Sequence, residues 1–193
     1  MKNHFYAVLS RMKNIYRWGL MRNTRQENLS EHSLETAYIA HALCLIRNNR
    51  FGGHINADRA AVLAMFHDTS EIITGDMPTP VKYYNPQIKT VYKEVESIAE
   101  DKLISLLPDD LKPDMCKIYK CDDTELLKIV KAADKISAYI KCLEEIKMGN
   151  TEFEKAKQTN EKQIASLNMP EVNVFMEEFI PSFSLQLDDI FLK

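Results

Sequence analysis

The sequence predicts an all-α protein, one compact helical bundle spanning residues 1–193 as a single domain. Three observations predict it. Only 5 Gly and 7 Pro occur while Leu, Ala, Glu, Lys, Met and Ile dominate, a composition rich in helix formers and poor in turn makers. Apolar residues recur three and four positions apart over long stretches, the period of a helix with one buried face. A chain of 193 residues with 45% hydrophobic content can bury one sizeable core and is short for two full domains.

Phe5, Val8, Leu9, Met12, Ile15 and Tyr16 predict a first amphipathic helix over about 5–16. Gly19, Asn23 and Thr24 then break the period in a polar, arginine-bearing loop, until Asn28 or Ser30 offers an N-cap. The second helix is expected from Ser30 to Arg47, with His32, Thr36, Ile39, Leu43 and Ile46 along one stripe. A third starts after an Asn56 cap with Asp58 in its first turn and runs through ADRAAVLAMFHDTSEII until Gly75 stops it. The prolines and glycine of GDMPTPVKYYNP exclude continuous helix and predict a shaped loop directly after the histidine-bearing segment. Periodicity resumes from Gln87 to Leu107, breaks at Pro108 and Pro113, and returns in TELLKIVKAADKISAYIKCLEEIKMGN, which ends at Gly149. Further helices are expected over Glu152 to Leu167 and Val172 to Phe179.

A formal net charge of -3 lacks the basic footprint of a nucleic-acid-binding protein, so a small ligand is the expected partner and a nucleic acid polymer is not. Cys44, Cys116, Cys121 and Cys142 match neither a zinc knuckle nor a CxxC pair and read as reduced structural thiols. Arg and Lys interrupt the apolar residues of the N-terminal segment, and no later run reaches membrane-spanning length. A cytoplasmic location without membrane contact is the corresponding expectation.

Several polar side chains fall where the helical pattern calls for apolar ones: His32, the pair His67 and Asp68, and Asp134. His67 and Glu71 are one turn apart on the third helix and therefore share a face, with Asp68 about 100° round it. Asp134 is flanked by Ala132, Ala133, Ile136 and Ala138, where an ionised carboxylate is costly unless it is paired with Lys131 or Lys135 or bound to a cation. Two imidazoles and two carboxylates suit one divalent ion, Co2+, Mn2+, Zn2+ or Mg2+, which lowers the pKa of bound water. Each residue also has an ordinary reading: His32 as a cap, Glu71 as an exposed helical glutamate, Trp18 as core filler and Arg17 as a solvated charge. His4, His41 and His54 match no ligand position.

The order His, then a His-Asp dipeptide 35 residues on, then a lone Asp far downstream resembles the HD-domain phosphohydrolases. The segments RWGLMRNTRQENLSEHS, AMFHDTSEIITGDMPTPVKYYN and FIPSF are similar to the bacterial HD-domain 5'-deoxynucleotidases, and the likeness covers nearly the whole chain. The resemblance implies hydrolysis of deoxyribonucleoside 5'-monophosphates with discrimination against ribonucleotides, by a homodimer that depends on a divalent metal. It implies metal ligation by His32, His67, Asp68 and Asp134, with His32, Asp68 and Asp134 also near the substrate. Catalytic roles fall on Glu71, Arg17 and Asp76, and substrate contacts on Arg17, Trp18, Asp76, Met77, Pro78 and Thr79. In those roles Arg17 grips the phosphate, Glu71 orients or deprotonates the attacking water, and Trp18 excludes a 2'-hydroxyl. Two alternatives stay open: an HD phosphohydrolase acting on a triphosphate, cyclic or signalling nucleotide, and a metal-stabilised helical interaction module without turnover.

Overall fold

The structure, a computed structural model, describes residues 3–78, 81 and 85–191. Every regular element among them is helical, in agreement with the expected class, and no strand occurs beyond an isolated antiparallel bridge between Tyr16 and Asn28. The elements are α1 (Phe5–Leu9), α2 (Leu29–Phe51), α3 (Ala57–Phe66), α4 (Glu71–Thr74), α5 (Pro86–Ser105), α6 (Lys112–Tyr119), α7 (Thr124–Lys147), α8 (Glu154–Ala165), α9 (Pro170–Glu178) and α10 (Leu187–Phe191). Short 3₁₀ turns cover Ser10–Asn14, Thr151–Phe153 and Ile180–Ser184. By contact density the chain forms two compact units, one of residues 1–22, 26–34 and 65–122, the other of residues 23–25, 35–64 and 123–193.

In the first unit, Phe5, Leu103 and Leu107 form a small core with Val8, Leu9, Phe66, Leu106, Met115 and Tyr119 packed round it. The Phe66 and Tyr119 rings meet edge to face with centroids 6.1 Å apart. The predicted first helix stops early, at Leu9, and continues only as the 3₁₀ turn to Asn14. Its polar backbone is needed elsewhere: Leu29 N–H donates to the Ile15 carbonyl at 3.0 Å and Arg17 N–H to the Glu27 carbonyl at 2.9 Å. These bonds draw Ile15–Arg17 out into an extended segment beside residues 27–29, so backbone pairing replaces the helical ladder there.

Asn28 caps α2, its side chain accepting from Ser30 N–H at 3.0 Å and Glu31 N–H at 3.1 Å, while Glu31 accepts from Asn28 N–H at 3.2 Å. This reciprocal arrangement is a capping box. The expected stripe is buried, with His32, Thr36, Ile39, Leu43 and Ile46 all 6% exposed or less. Asn56 caps α3 as expected, accepting from Arg59 N–H at 2.8 Å.

α3 does not run on to Gly75. It ends at Phe66, and residues 67–70 form tight turns before α4. Glu71 N–H bonds the Asp68 carbonyl at 3.0 Å and Ile72 N–H the Thr69 carbonyl at 3.1 Å, the i to i+3 pattern. The Thr69 hydroxyl also donates to the Phe66 carbonyl at 2.8 Å, competing with the ladder. His67 and Glu71 therefore do not share the face of one continuous helix. Gly75 does stop α4, at φ +74°, a conformation a side chain disfavours.

In the second unit α7 is the central element, burying Leu126, Ile129, Val130, Ala133, Ile136 and Ile140 among its apolar residues and packing along α8 and the flanking 3₁₀ turns. Its N-cap Asp123 accepts from Glu125 and Leu126 N–H. Lys141 and Glu145, one turn apart on this helix, are buried at 4% and 1% exposure and paired with each other. Glu145 also accepts from Thr24 N–H at 2.8 Å, the Thr24 hydroxyl at 2.7 Å, Arg25 N–H at 3.2 Å and Asn150 Nδ2 at 2.7 Å. Burial alone would raise its carboxyl, but these donors, Lys141 foremost, hold it well below the usual carboxylate range.

The helix α6 lies where the sequence predicts a break at Pro113, because proline in a first turn leaves no needed N–H unmade and the helix forms around it. All four cysteines are free thiols. No helix among the described residues is long and apolar enough to cross a membrane.

Candidate metal centre

His32 sits in the first turn of α2 with no exposed surface, placed there by the Asn28 cap that fixes where the helix begins. His67 and Asp68 follow the end of α3, on the tight turns that Thr69 helps to close. Asp68 Oδ2 lies 3.1 Å from His67 Nε2 and 3.5 Å from His32 Nε2, and the two imidazole centroids are 5.2 Å apart. Burial would raise the Asp68 carboxyl, but the neighbouring imidazoles, His67 first, hold it well below its ordinary value.

Asp134 is half-buried in the middle of α7. His32, His67, Asp68 and Asp134 form a group able to hold a metal ion, each offering one ligand atom within 4.8 Å of the others. A cation bound at about 2.0–2.2 Å spaces its ligand atoms roughly 3–4.4 Å apart, so this donor set needs only small adjustment to close on one. Two nitrogens with two carboxylate oxygens suit a borderline or hard divalent ion.

Arg17 donates from Nη1 to Asp68 Oδ2 at 3.3 Å and from Nε to Glu27 Oε2 at 3.3 Å. Its guanidinium is thus held beside the imidazoles, where its planar fork suits an anionic ligand. Trp18 adopts φ +61°, in the left-handed region, and its Nε1 donates to Glu27 Oε2 at 2.9 Å. Asp76 lies within the electrostatic field of the same residues. Burial pushes its carboxyl up and the Asp68 charge adds to this, against the opposing pull of Arg17 and the Trp18 backbone N–H.

Glu71 is only 5% exposed, at the start of α4, which removes the reading of it as a solvated surface glutamate. Met77 and Pro78 are half-buried in the loop after Gly75, and Thr79 lies outside the described residues. Glu27 was missed from the sequence. It sits in a polar loop that reads as solvated, and its partners ten and nine positions upstream become neighbours only through the Tyr16 and Asn28 bridge.

Comparison with known proteins points the same way. A family model described as 5'-deoxynucleotidase YfbR-like matches residues 4–183. Curated 5'-deoxynucleotidases of Vibrio vulnificus and Photorhabdus temperata are each 53% identical to this chain, over 98% of it and 98% of their own length. Among solved structures, an HD-domain phosphohydrolase from Listeria innocua superposes with a TM-score of 0.82 at 26% identity, covering 93% of this chain and 88% of its own. The cyanophage S-2L HD phosphohydrolase DatZ, described as bound to dA and one catalytic Zn2+ ion, shares the fold with a TM-score of 0.67 at 19% identity, covering 92% of this chain and 95% of its own. With its His, His-Asp and Asp donors gathered beside a tethered arginine, the chain belongs to the YfbR-like 5'-deoxynucleotidase family of HD-domain phosphohydrolases.

Proposed function

We propose that the protein is a metal-dependent 5'-deoxynucleotidase, hydrolysing deoxyribonucleoside 5'-monophosphates to deoxynucleoside and phosphate. The observation that carries the reading is the group of His32, His67, Asp68 and Asp134 with the Arg17 guanidinium tied to one of its members. When bound there, a divalent ion supplies Lewis-acid polarisation of phosphate oxygen and an activated water near neutral pH.

The chain's own residues do the rest. Arg17, already oriented by Asp68 and Glu27, presents its guanidinium to the non-bridging oxygens of the phosphate and stabilises charge there as the ester bond breaks. Glu71, buried at the head of α4, orients the attacking water and takes up its proton. Asp76, whose carboxyl is pushed upward by burial, accepts a bond from a sugar hydroxyl, and Met77 and Pro78, next in the same loop, contact the nucleotide. Trp18 walls the sugar so that an added 2'-hydroxyl has no room.

The family model runs through both compact units, which supports reading the 193 residues as one working domain. A homodimer is supported by the exposed apolar side chains Tyr6, Leu34 and Met65 around an open cavity of about 320 Å³, and light scattering of the purified chain tests it. Free thiols at all four cysteines suit the reducing cytoplasm.

The deciding assay is phosphate release from a panel of deoxy and ribo 5'-monophosphates with added Mn2+ or Co2+. Deoxy substrates should be favoured, and Glu71→Ala should lower kcat by about 10²-fold or more while nucleotide still binds. Equal rates on both sugar classes, or a Glu71→Ala protein as fast as wild type, would overturn the assignment.

A further inference from the structure

We infer that Glu27 is a positioning residue for sugar selection: it fixes the Trp18 indole, and with it the Arg17 guanidinium, in the orientation the substrate meets. The inference rests on the function proposed above. Three contacts point to it. Glu27 Oε2 accepts from Trp18 Nε1 at 2.9 Å and from Arg17 Nε at 3.3 Å, and Glu27 Oε1 lies 3.9 Å from His32 Nδ1, within electrostatic reach but beyond hydrogen-bond distance. The carboxylate is 12% exposed, so these interactions are only weakly screened.

The backbone explains why this side chain meets those two. Arg17 N–H donates to the Glu27 carbonyl at 2.9 Å, which lays the two segments side by side in opposite directions. Trp18 then turns into the left-handed region, which aims its side chain away from the path an extended chain would give it. An indole has one polar atom, the Nε1–H, and a bond at that end sets the rotation of the ring about both side-chain torsions. The opposite arm of the Arg17 fork is held by Asp68 at 3.3 Å, so the guanidinium is braced between two carboxylates and its plane is fixed. Without Glu27 the indole can swing and the wall against a 2'-hydroxyl loses its edge.

Trp18 is the one tryptophan of the chain, so tryptophan emission reports on the surroundings of this one side chain. The test compares full-length wild type, Glu27→Ala, Glu27→Gln, Trp18→Ala and the Glu27→Ala/Trp18→Ala double variant in one metal-supplemented buffer. Two quantities are read: tryptophan emission, and the ratio of kcat/KM for a deoxy over the matching ribo 5'-monophosphate. Loss of the acceptor should shift the emission of Glu27→Ala and lower its sugar ratio by about tenfold, while Glu27→Gln, which keeps one acceptor oxygen, recovers most of both. In the Trp18→Ala background the same substitution should change the ratio by less than about twofold, because the indole it acts through is gone.

Wild-type emission and ratio in folded Glu27→Ala would overturn the inference, as would an equal loss of ratio with and without Trp18. If Trp18→Ala itself leaves the ratio unchanged, the sugar-wall role fails. Emission then decides the anchoring of the indole by Glu27: a shift upholds it and an unchanged spectrum removes it. Should Glu27→Ala not fold by circular dichroism, Glu27→Asp, which draws the acceptor back by one methylene, carries the same comparison.

Discussion

Replacing Glu145 by alanine should destabilise the protein severely, through the Lys141 ammonium it leaves behind. Both groups are almost without solvent contact, at 4% exposure for Lys141 and 1% for Glu145. The carboxylate takes five donors: Lys141 Nζ, Thr24 N–H, the Thr24 hydroxyl, Arg25 N–H and Asn150 Nδ2. Among the described residues, Lys141 keeps the Arg25 carbonyl and the Phe153 ring, 5.7 Å away, once Glu145 is gone. Breaking a buried pair from one side costs roughly 3–5 kcal/mol, and for a chain of this length each kcal/mol moves Tm by about 2–4 °C, so a fall of roughly 6–20 °C is expected. Lys141→Met should cost less, about 1–3 kcal/mol, because the carboxylate retains four other donors.

The assay is thermal and urea unfolding of both variants, with the double variant closing the cycle. A Glu145→Ala protein melting within about 2 °C of wild type would refute the reasoning, since the ammonium would then be finding solvent or a new partner. The pH dependence follows with a definite sign. The Glu145 carboxyl is held below its unfolded value, so its contribution is present above the ordinary carboxylate range and is lost as pH falls through the depressed value. The acid limb of the stability curve should flatten in Glu145→Ala.

Other expectations follow from the same structure. Asp134→Asn should weaken Mn2+ or Co2+ binding by about tenfold or more while leaving helix content intact, measured by calorimetry and circular dichroism. Burial, with help from Glu171 and Glu125, pushes the Cys44 thiol up to about 12, so a thiol-reactive dye at neutral pH should label the half-buried Cys116 and Cys121 and reach Cys44 and Cys142 only after denaturation. Labelling of Cys44 in the native protein would contradict its burial. Burial likewise pushes the Tyr119 phenol up to about 12, with a Thr69 bond acting against it, so its share of stability is complete below the ordinary phenol range and is lost as pH rises toward 12. Tyr119→Phe should soften that alkaline loss, as read by unfolding at several pH values.

The parts of the fold that the sequence disclosed are those set by local pattern. The α2 stripe was legible because helix period and apolar burial agree over about four turns from His32 to Ile46, and its polar exceptions, His32 and Thr36, stand out against that background. Asp134 stood out on α7 for the same reason. What stayed hidden depends on partners distant in the chain or on competition at one bond. The turn at residues 67–70 hinges on a threonine hydroxyl taking the Phe66 carbonyl, which leaves the apolar periodicity unchanged. The early end of α1 depends on pairing with residues 27–29, and the same pairing conceals Glu27. The Lys141 and Glu145 pair reads as an ordinary exposed i, i+4 salt bridge until residues 23–25 close over it.

If Trp18 walls the sugar as proposed, its left-handed backbone sets stability against selectivity. Holding a bulky residue in that region costs on the order of 1–3 kcal/mol, a cost that glycine escapes. A screen for thermal tolerance alone should therefore favour Trp18→Gly, a change that relaxes the main chain and discards the indole together. Variants hardened in this way should survive heating better and tell the two sugars apart less well.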